Sequence, residues 1–182
     1  MQPRLITKPY SFRGRIYDAY KDVFSLVNDE DWVCFVDGDT AFLEMSNFGH
    51  VLNDYINTYP TTGMFTCYAS RCHYEFQMIS GLDMENDSID YWAMETVKAK
   101  AMHPQIDDLK IMIAGHLVML KKSTWIKIQP KLVGRLKFKK ILGFDTQLSH
   151  AIMECGMDIK LMKGVLLFHY LRKLTGKNNF IR

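Results

Sequence analysis

The sequence predicts an α/β fold: a single domain with a central mixed, mostly parallel sheet flanked by helices. Three observations carry that expectation. Trp32-Val33-Cys34-Phe35-Val36 is an unbroken apolar run of strand length, as in a strand buried on both faces. Ile16, Tyr17, Tyr20, Val23, Phe24 and Val27 recur at three- and four-residue steps, the spacing of an amphipathic helix. Runs of the two kinds alternate over most of the 182 residues without an internal repeat or a Pro/Gly/Ser-rich linker, so residues 1–182 are read as one domain.

The elements follow in order. Residues 4–7 form a short first strand stopped by Pro9, and the helix over 16–27 ends at Asn28-Asp29-Glu30-Asp31. The strand over 32–36 stops at Asp37-Gly38-Asp39. A helix over 48–59 is closed by Pro60, and a strand spans 63–68. Residues 83–90 are acidic and polar, a surface loop leading to a helix over about 89–102. The apolar run 111–120 reads as a buried strand with Gly115 at a bulge, followed by a short helix capped by Ser123. Residues 130–140 read as a lid that orders over a bound ligand. A helix over 144–155 stops at Gly156, and two strands, 159–162 and 165–170, complete the pattern. Trp32 and Trp125 are expected in the core, whereas the pattern does not place Trp92.

Composition narrows the function classes. Hydrophobic residues are 48% and charged residues 24%, which excludes disordered and low-complexity scaffolds. A net charge of +3 is too small to argue for nucleic acid as a partner. The four cysteines (Cys34, Cys67, Cys72, Cys155) have no paired metal-ligand spacing, and with twelve methionines they favour a reducing, cytoplasmic setting. No apolar run reaches the roughly 18–20 residues of a membrane span, and nothing after Met1 reads as a signal peptide. Charge is segregated, however. Nine basic residues and no acid lie between Leu109 and Phe144 (Lys110, Lys121, Lys122, Lys127, Lys131, Arg135, Lys137, Lys139, Lys140), and the tail adds Arg172, Lys173, Lys177 and Arg182. Such a run is either a solvated face or a patch for an anionic acceptor or the inner membrane surface.

Asp37-Gly38-Asp39 is the sharpest chemical signal. Two carboxylates at i, i+2 beyond a strand's carboxyl end can share one hard cation, and the glycine between them lets a phosphate approach. The competing reading is an Asx-turn at a strand end. Asp145 reads either as a general base or as a helix N-cap. Arg13 and Arg15 suit bidentate phosphate contacts or a solvated loop, and Gly115 marks a bulge or a close approach of backbone to another group. His50, His73, His103 and His150 have no partner spacing and read as surface or packed residues.

The run from Asp31 to Leu43, an apolar strand entering Asp-Gly-Asp, resembles the DxD segment of GT-A-fold glycosyltransferases, particularly small bacterial family-2-like members. Other segments agree in family order: Pro9 to Tyr20, Gly63 to Arg71, Ala114 to Trp125, Gly143 to Gln147 and Gly164 to Arg172. The resemblance implies a single GT-A-like, Rossmann-like domain and a metal-dependent transferase that moves a sugar from a nucleotide-diphosphate sugar to a hydroxyl acceptor in cell-surface polysaccharide or glycan synthesis, with inversion. It implies Asp39, His169 and Asp37 as ligands of Mn²⁺ or Mg²⁺. Tyr10, Ser11, Arg13, Arg15, Asp37 and Gly38 would bind the donor. Gly115, His116 and Asp145 would face a glycan or lipid-linked acceptor, with Asp145 as base. Two departures stand out: many relatives carry paired acids where this chain has Asp145-Thr146, and larger members have more strand-helix units before the DxD strand. The rival readings are a non-catalytic sugar-nucleotide or glycan-binding relative, and a nucleotidyltransferase or phosphohydrolase. The absence of a P-loop or Gly-x-Gly-x-x-Gly fingerprint weighs against the last.

Overall fold

The computed structural model describes residues 5–9, 15–43, 46–138 and 143–170, so Tyr10, Ser11, Arg13, Lys139, Lys140 and the basic tail lie outside the described residues. The strands are β1 (Leu5–Thr7), β2 (Trp32–Val36), β3 (Thr40–Ala41), β4 (Met64–Ala69), β5 (Ile106–Leu109), β6 (Leu117–Lys121) and β7 (Ile159–His169). The helices are α1 (Ile16–Ser25), α2 (Phe48–Thr58), α3 (Ile89–Lys100), α4 (Lys122–Phe138) and α5 (Phe144–Glu154), with a 3-10 turn over Glu75–Gln77.

All five residues of β2 are buried, as the apolar run requires, and alternate residues serve opposite faces of the sheet. Trp32, Cys34 and Val36 pack with Leu52 and Tyr55 of α2 on one face. Val33 and Phe35 pack on the other with Tyr20 and Phe24 of α1, Trp125 and Ile128 of α4, and Leu148 and Ile152 of α5. Both Trp32 and Trp125 are core residues. Trp92, which the pattern left unplaced, is buried beneath α3 against Phe168 of β7.

The sheet runs β1-β2-β6-β4-β7-β3, with β5 also paired to β7. It is mixed, as expected, but its parallel share is smaller than the sequence suggested. Among the described residues β1–β2 and β4–β7 are parallel, whereas β2–β6, β4–β6, β3–β7 and β5–β7 are antiparallel. Burial on both faces explains the apolar runs equally well in either direction, because the helices cover both sides of the sheet.

Four local expectations need correction. Only residues 117–121 of the apolar run 111–120 form a strand. The preceding backbone is paired by side chains instead: Ile113 N–H donates to Ser149 Oγ (3.2 Å), Ala114 N–H to Gln77 Oε1 (2.7 Å) and Gly115 N–H to Asp145 Oδ2 (3.1 Å). Apolar content cannot distinguish that arrangement from a ladder. The helix after β6 is not short and starts at Lys122, not after a Ser123 cap; it runs 17 residues through Pro130. Pro130 is exposed, and Trp125, Ile128 and Leu132 anchor the inner face on the core, so packing outweighs the proline's lost hydrogen bond. Residues 130–138 therefore belong to a packed helix, not to a lid. Finally, 159–162 and 165–170 are parts of one strand, β7, with a register shift opposite Cys67/Tyr68.

Beyond these, the helix over 144–154 ends as expected, with Gly156 at φ +72°. Strand β5 and the 3-10 turn had no expectation.

Candidate metal centre and active-site cleft

β2 delivers Asp37 and Asp39 at its carboxyl end, and β7 brings His169 to them. Thr40 pairs with His169 in the β3–β7 register, and Tyr170 N–H donates to Asp39 O (2.8 Å). Two stretches far apart in the chain are thus joined backbone to backbone. The Asp-Gly-Asp turn itself is closed by Thr40, whose N–H and hydroxyl both donate to Asp37 O (3.3 and 2.8 Å). The Asx-turn reading made the aspartates the closing groups; here Thr40 takes that part and both carboxylates line a cleft.

Ligand atoms of Asp37, Asp39 and His169 all lie within 4.8 Å of one another. His169 Nε2 is 3.3 Å from Asp39 Oδ1. On the other side of the ring, Nδ1 lies 2.8 Å from the Arg71 carbonyl, an acceptor, so Nδ1–H donates there. In the neutral ring this leaves the Nε2 lone pair toward Asp39, the tautomer a metal requires. The backbone N–H of His169 is fixed as well, donating to Ser70 Oγ at 2.9 Å.

Electrostatics point the same way. Burial, and then the neighbouring Asp39 carboxylate, push Asp37 up to about 6. The hydrogen bond from His169 holds Asp39 below its ordinary range. Burial pulls His169 down, but its bonds to Asp39 and the Arg71 carbonyl outweigh that and raise it overall. Crowded carboxylates beside a ring with one nitrogen already committed form a set that a divalent cation would relieve. Two oxygens and one imidazole nitrogen suit Mn²⁺, with Mg²⁺ as the harder alternative.

The cleft has a volume of about 230 Å³, and its opposite wall comes from β6's approach and α5. Asp145 lies in the first turn of α5, whose N-cap is Gly143, so the capping reading of Asp145 does not hold. Its carboxylate accepts from Gly115 N–H (3.1 Å) and Thr146 N–H (2.8 Å). Gly115 fits because its alpha carbon closely approaches that side chain: a Cβ there would stand 3.2 Å from Asp145 Cβ. Gly115 therefore seats the acid as well as lining the cleft.

His116 also lines the cleft but is only 1% exposed, with Nε2 2.9 Å from the Cys67 carbonyl and Nδ1 without a hydrogen-bond partner among the described residues. Burial lowers it to about 4, so the ring is neutral. Gly38 is not among the residues lining the cleft; a Cβ there would meet nothing within 4 Å among the described residues, and Lys8 Nζ donates to its carbonyl at 3.1 Å.

The structure therefore brings Asp37, Asp39, Gly115, His116, Asp145 and His169 to one cleft. It does not bring Arg15 there. Arg15 precedes α1, and its Nε pairs with Asp18 at 2.6 Å. Cys72, His73 and Ala114 line the cleft without having been expected there, and His73 is exposed, as the surface reading had it. Only the fold could place Cys72 and His73, because they follow β4 in a loop with no ligand spacing. Lys8 was likewise missed; Pro9 beside it drew the reading toward strand termination.

Comparison with protein-family models, with curated proteins and with solved structures returned no match for this chain. Among the described residues no helix is long and apolar enough to cross a membrane.

Proposed function

We propose that this chain is a metal-dependent glycosyltransferase, moving a sugar from a nucleotide-diphosphate sugar donor to a hydroxyl of a glycan or lipid-linked acceptor. One observation carries the reading: a cation-binding set, Asp37, Asp39 and His169, shares a single cleft with a separate, amide-oriented carboxylate, Asp145. Asp39 and His169 would be the principal ligands, and Asp37 would complete the set directly or through water. When bound, a divalent ion supplies neutralisation of the negative charge that builds on a departing diphosphate.

The chain's own groups account for the rest. The diphosphate would lie beside Gly38, and the Asp145 carboxylate, held by two backbone amides, keeps acceptor capacity for the proton of an incoming hydroxyl. The hydroxyl oxygen forms its bond to the anomeric carbon as the bond to the diphosphate breaks. The electron pair leaves with the nucleoside diphosphate, the proton goes to Asp145, and the configuration inverts.

The test is incubation with a panel of nucleotide sugars and Mn²⁺, with and without hydroxyl acceptors, reading which product is released. Acceptor-stimulated release of a nucleoside diphosphate is expected. Asp145→Asn should slow transfer by about 10²–10⁴-fold while leaving metal binding intact. Release of inorganic phosphate or diphosphate instead would favour a phosphohydrolase or nucleotidyltransferase. Donor binding without release would favour a non-catalytic relative.

A further inference from the structure

The outer face of α4 carries a pattern that the cleft does not use. The inner row of the helix, Trp125, Ile128 and Leu132, is buried in the core, which accounts for the one apolar stripe that a surface helix needs. A second apolar row faces outward: Ile126 is 46% exposed and Val133 47%, with exposed Pro130 between them at helical spacing. Exposed Lys127 and Lys131 border it one position on, and α4 contains no acid. At the start of the helix Lys122 Nζ donates to the Val27 carbonyl (2.7 Å), which holds the turn carrying Leu26, 79% exposed, against α4's first turn.

Other members of the basic run are committed internally. Lys121 pairs with Glu30, Lys122 lies 3.5 Å from Asp29, and Arg135 pairs with Glu154, whose carboxylate the charge of Lys131 also reaches from its exposed position. The run is therefore not a uniform basic patch. A soluble polyanion would use the lysines and leave the apolar row idle, and an apolar partner would do the reverse. A bilayer surface bearing anionic headgroups accepts both: acyl chains take the apolar row and phosphates take the flanking lysines.

We infer that the outer face of α4, with Ile126, Pro130 and Val133 flanked by Lys127 and Lys131, docks the protein peripherally on anionic phospholipid bilayers. The helix lies in the plane of the interface and does not span it. The inference stands apart from the transferase reading, because vesicle binding reports no transfer chemistry and either can fail alone.

The experiment is co-sedimentation of the full chain with vesicles of phosphatidylcholine alone and of phosphatidylcholine mixed with phosphatidylglycerol, in metal-free buffer at low and physiological salt. Binding is expected on the mixed vesicles only, weakening with salt. Lys127→Gln and Lys131→Gln should each lower the partition coefficient by about fivefold. Ile126→Ser combined with Val133→Ser should lower it by at least about tenfold. All four changes are at exposed positions, and unchanged thermal melts would show that the fold is intact. Equal binding to neutral vesicles, absence of binding, binding insensitive to these substitutions, or capture by a soluble polyanion without vesicle binding would each overturn the inference.

Discussion

At the scale of single residues, the cleft depends on which atom of each side chain is already committed. His169 gives Nδ1–H to the Arg71 carbonyl and so keeps Nε2 for a ligand, while Asp39 faces it at 3.3 Å. Asp39→Ala and His169→Ala should therefore each weaken Mn²⁺ binding by at least about 100-fold, measurable by calorimetry, without loss of the fold. His116 behaves differently because it is sealed in. Burial holds it at about 4 in the folded chain, against an ordinary 6.5 when unfolded. Between those values the unfolded chain binds the extra proton at this site, so the His116 contribution to stability falls as pH drops from about 6.5 to about 4 and is fully retained above that window. The loss amounts to about 3 kcal/mol. Asp37, pushed up to about 6, acts in the opposite sense over much of the same window, so the His116 contribution is read as the difference in stability between the native chain and His116→Gln in denaturant titrations. That difference should shift against the native chain as pH falls from about 6.5 to about 4; a difference that does not change with pH would contradict it. The signal for His169 was legible only through the resemblance, since no local spacing links it to Asp39. His116 was legible as a cleft residue, but its burial was not.

At the scale of elements, the sequence located β2, α1, α2, α3 and α5 well because each carries its own periodicity or an abrupt stop. It erred where tertiary contacts decide. Residues 113–115 are apolar enough for a strand, yet their N–H groups are claimed by Ser149, Gln77 and Asp145. Gln77 does most to hold this segment. It is fully buried, and its amide takes the N–H of Ala114 (2.7 Å) while its own N–H₂ group bonds Ala114 O (3.3 Å) and Thr66 Oγ1 (3.0 Å). Gln77→Ala should cost about 2–3 kcal/mol in unfolding experiments by stranding buried backbone groups. It should also speed hydrogen exchange at Ala114 and Gly115 ahead of β6. Exchange that remained uniform would show the segment to be held by other contacts. Helix α4 was misjudged for a related reason: Pro130 reads locally as a breaker, whereas the burial of Trp125, Ile128 and Leu132 holds the helix through it.

At the scale of the whole molecule, the sheet's order explains how one cleft gathers residues from the middle and both ends of the described chain. The central strands β2, β6, β4 and β7 set the Asp-Gly-Asp turn, the approach to β6 and the end of β7 side by side, while α5 points its first turn at them. Fold class was therefore readable from alternating runs, and the Asp37–Asp39 edge of the cleft from strand-end carboxylates, whereas Cys72, His73 and Ala114 were not. The balance of parallel and antiparallel pairs was not, because a buried strand is apolar in either direction. On the proposed function this cleft would hold a divalent cation together with a diphosphate. The most direct test is calorimetric titration of nucleoside diphosphates into the protein with and without Mn²⁺, paired with the same titration of Asp39→Ala. Binding of at least one nucleoside diphosphate that needs Mn²⁺ and disappears in the variant is expected. Failure of every nucleoside diphosphate to bind, or binding that is indifferent to both metal and Asp39, would contradict it.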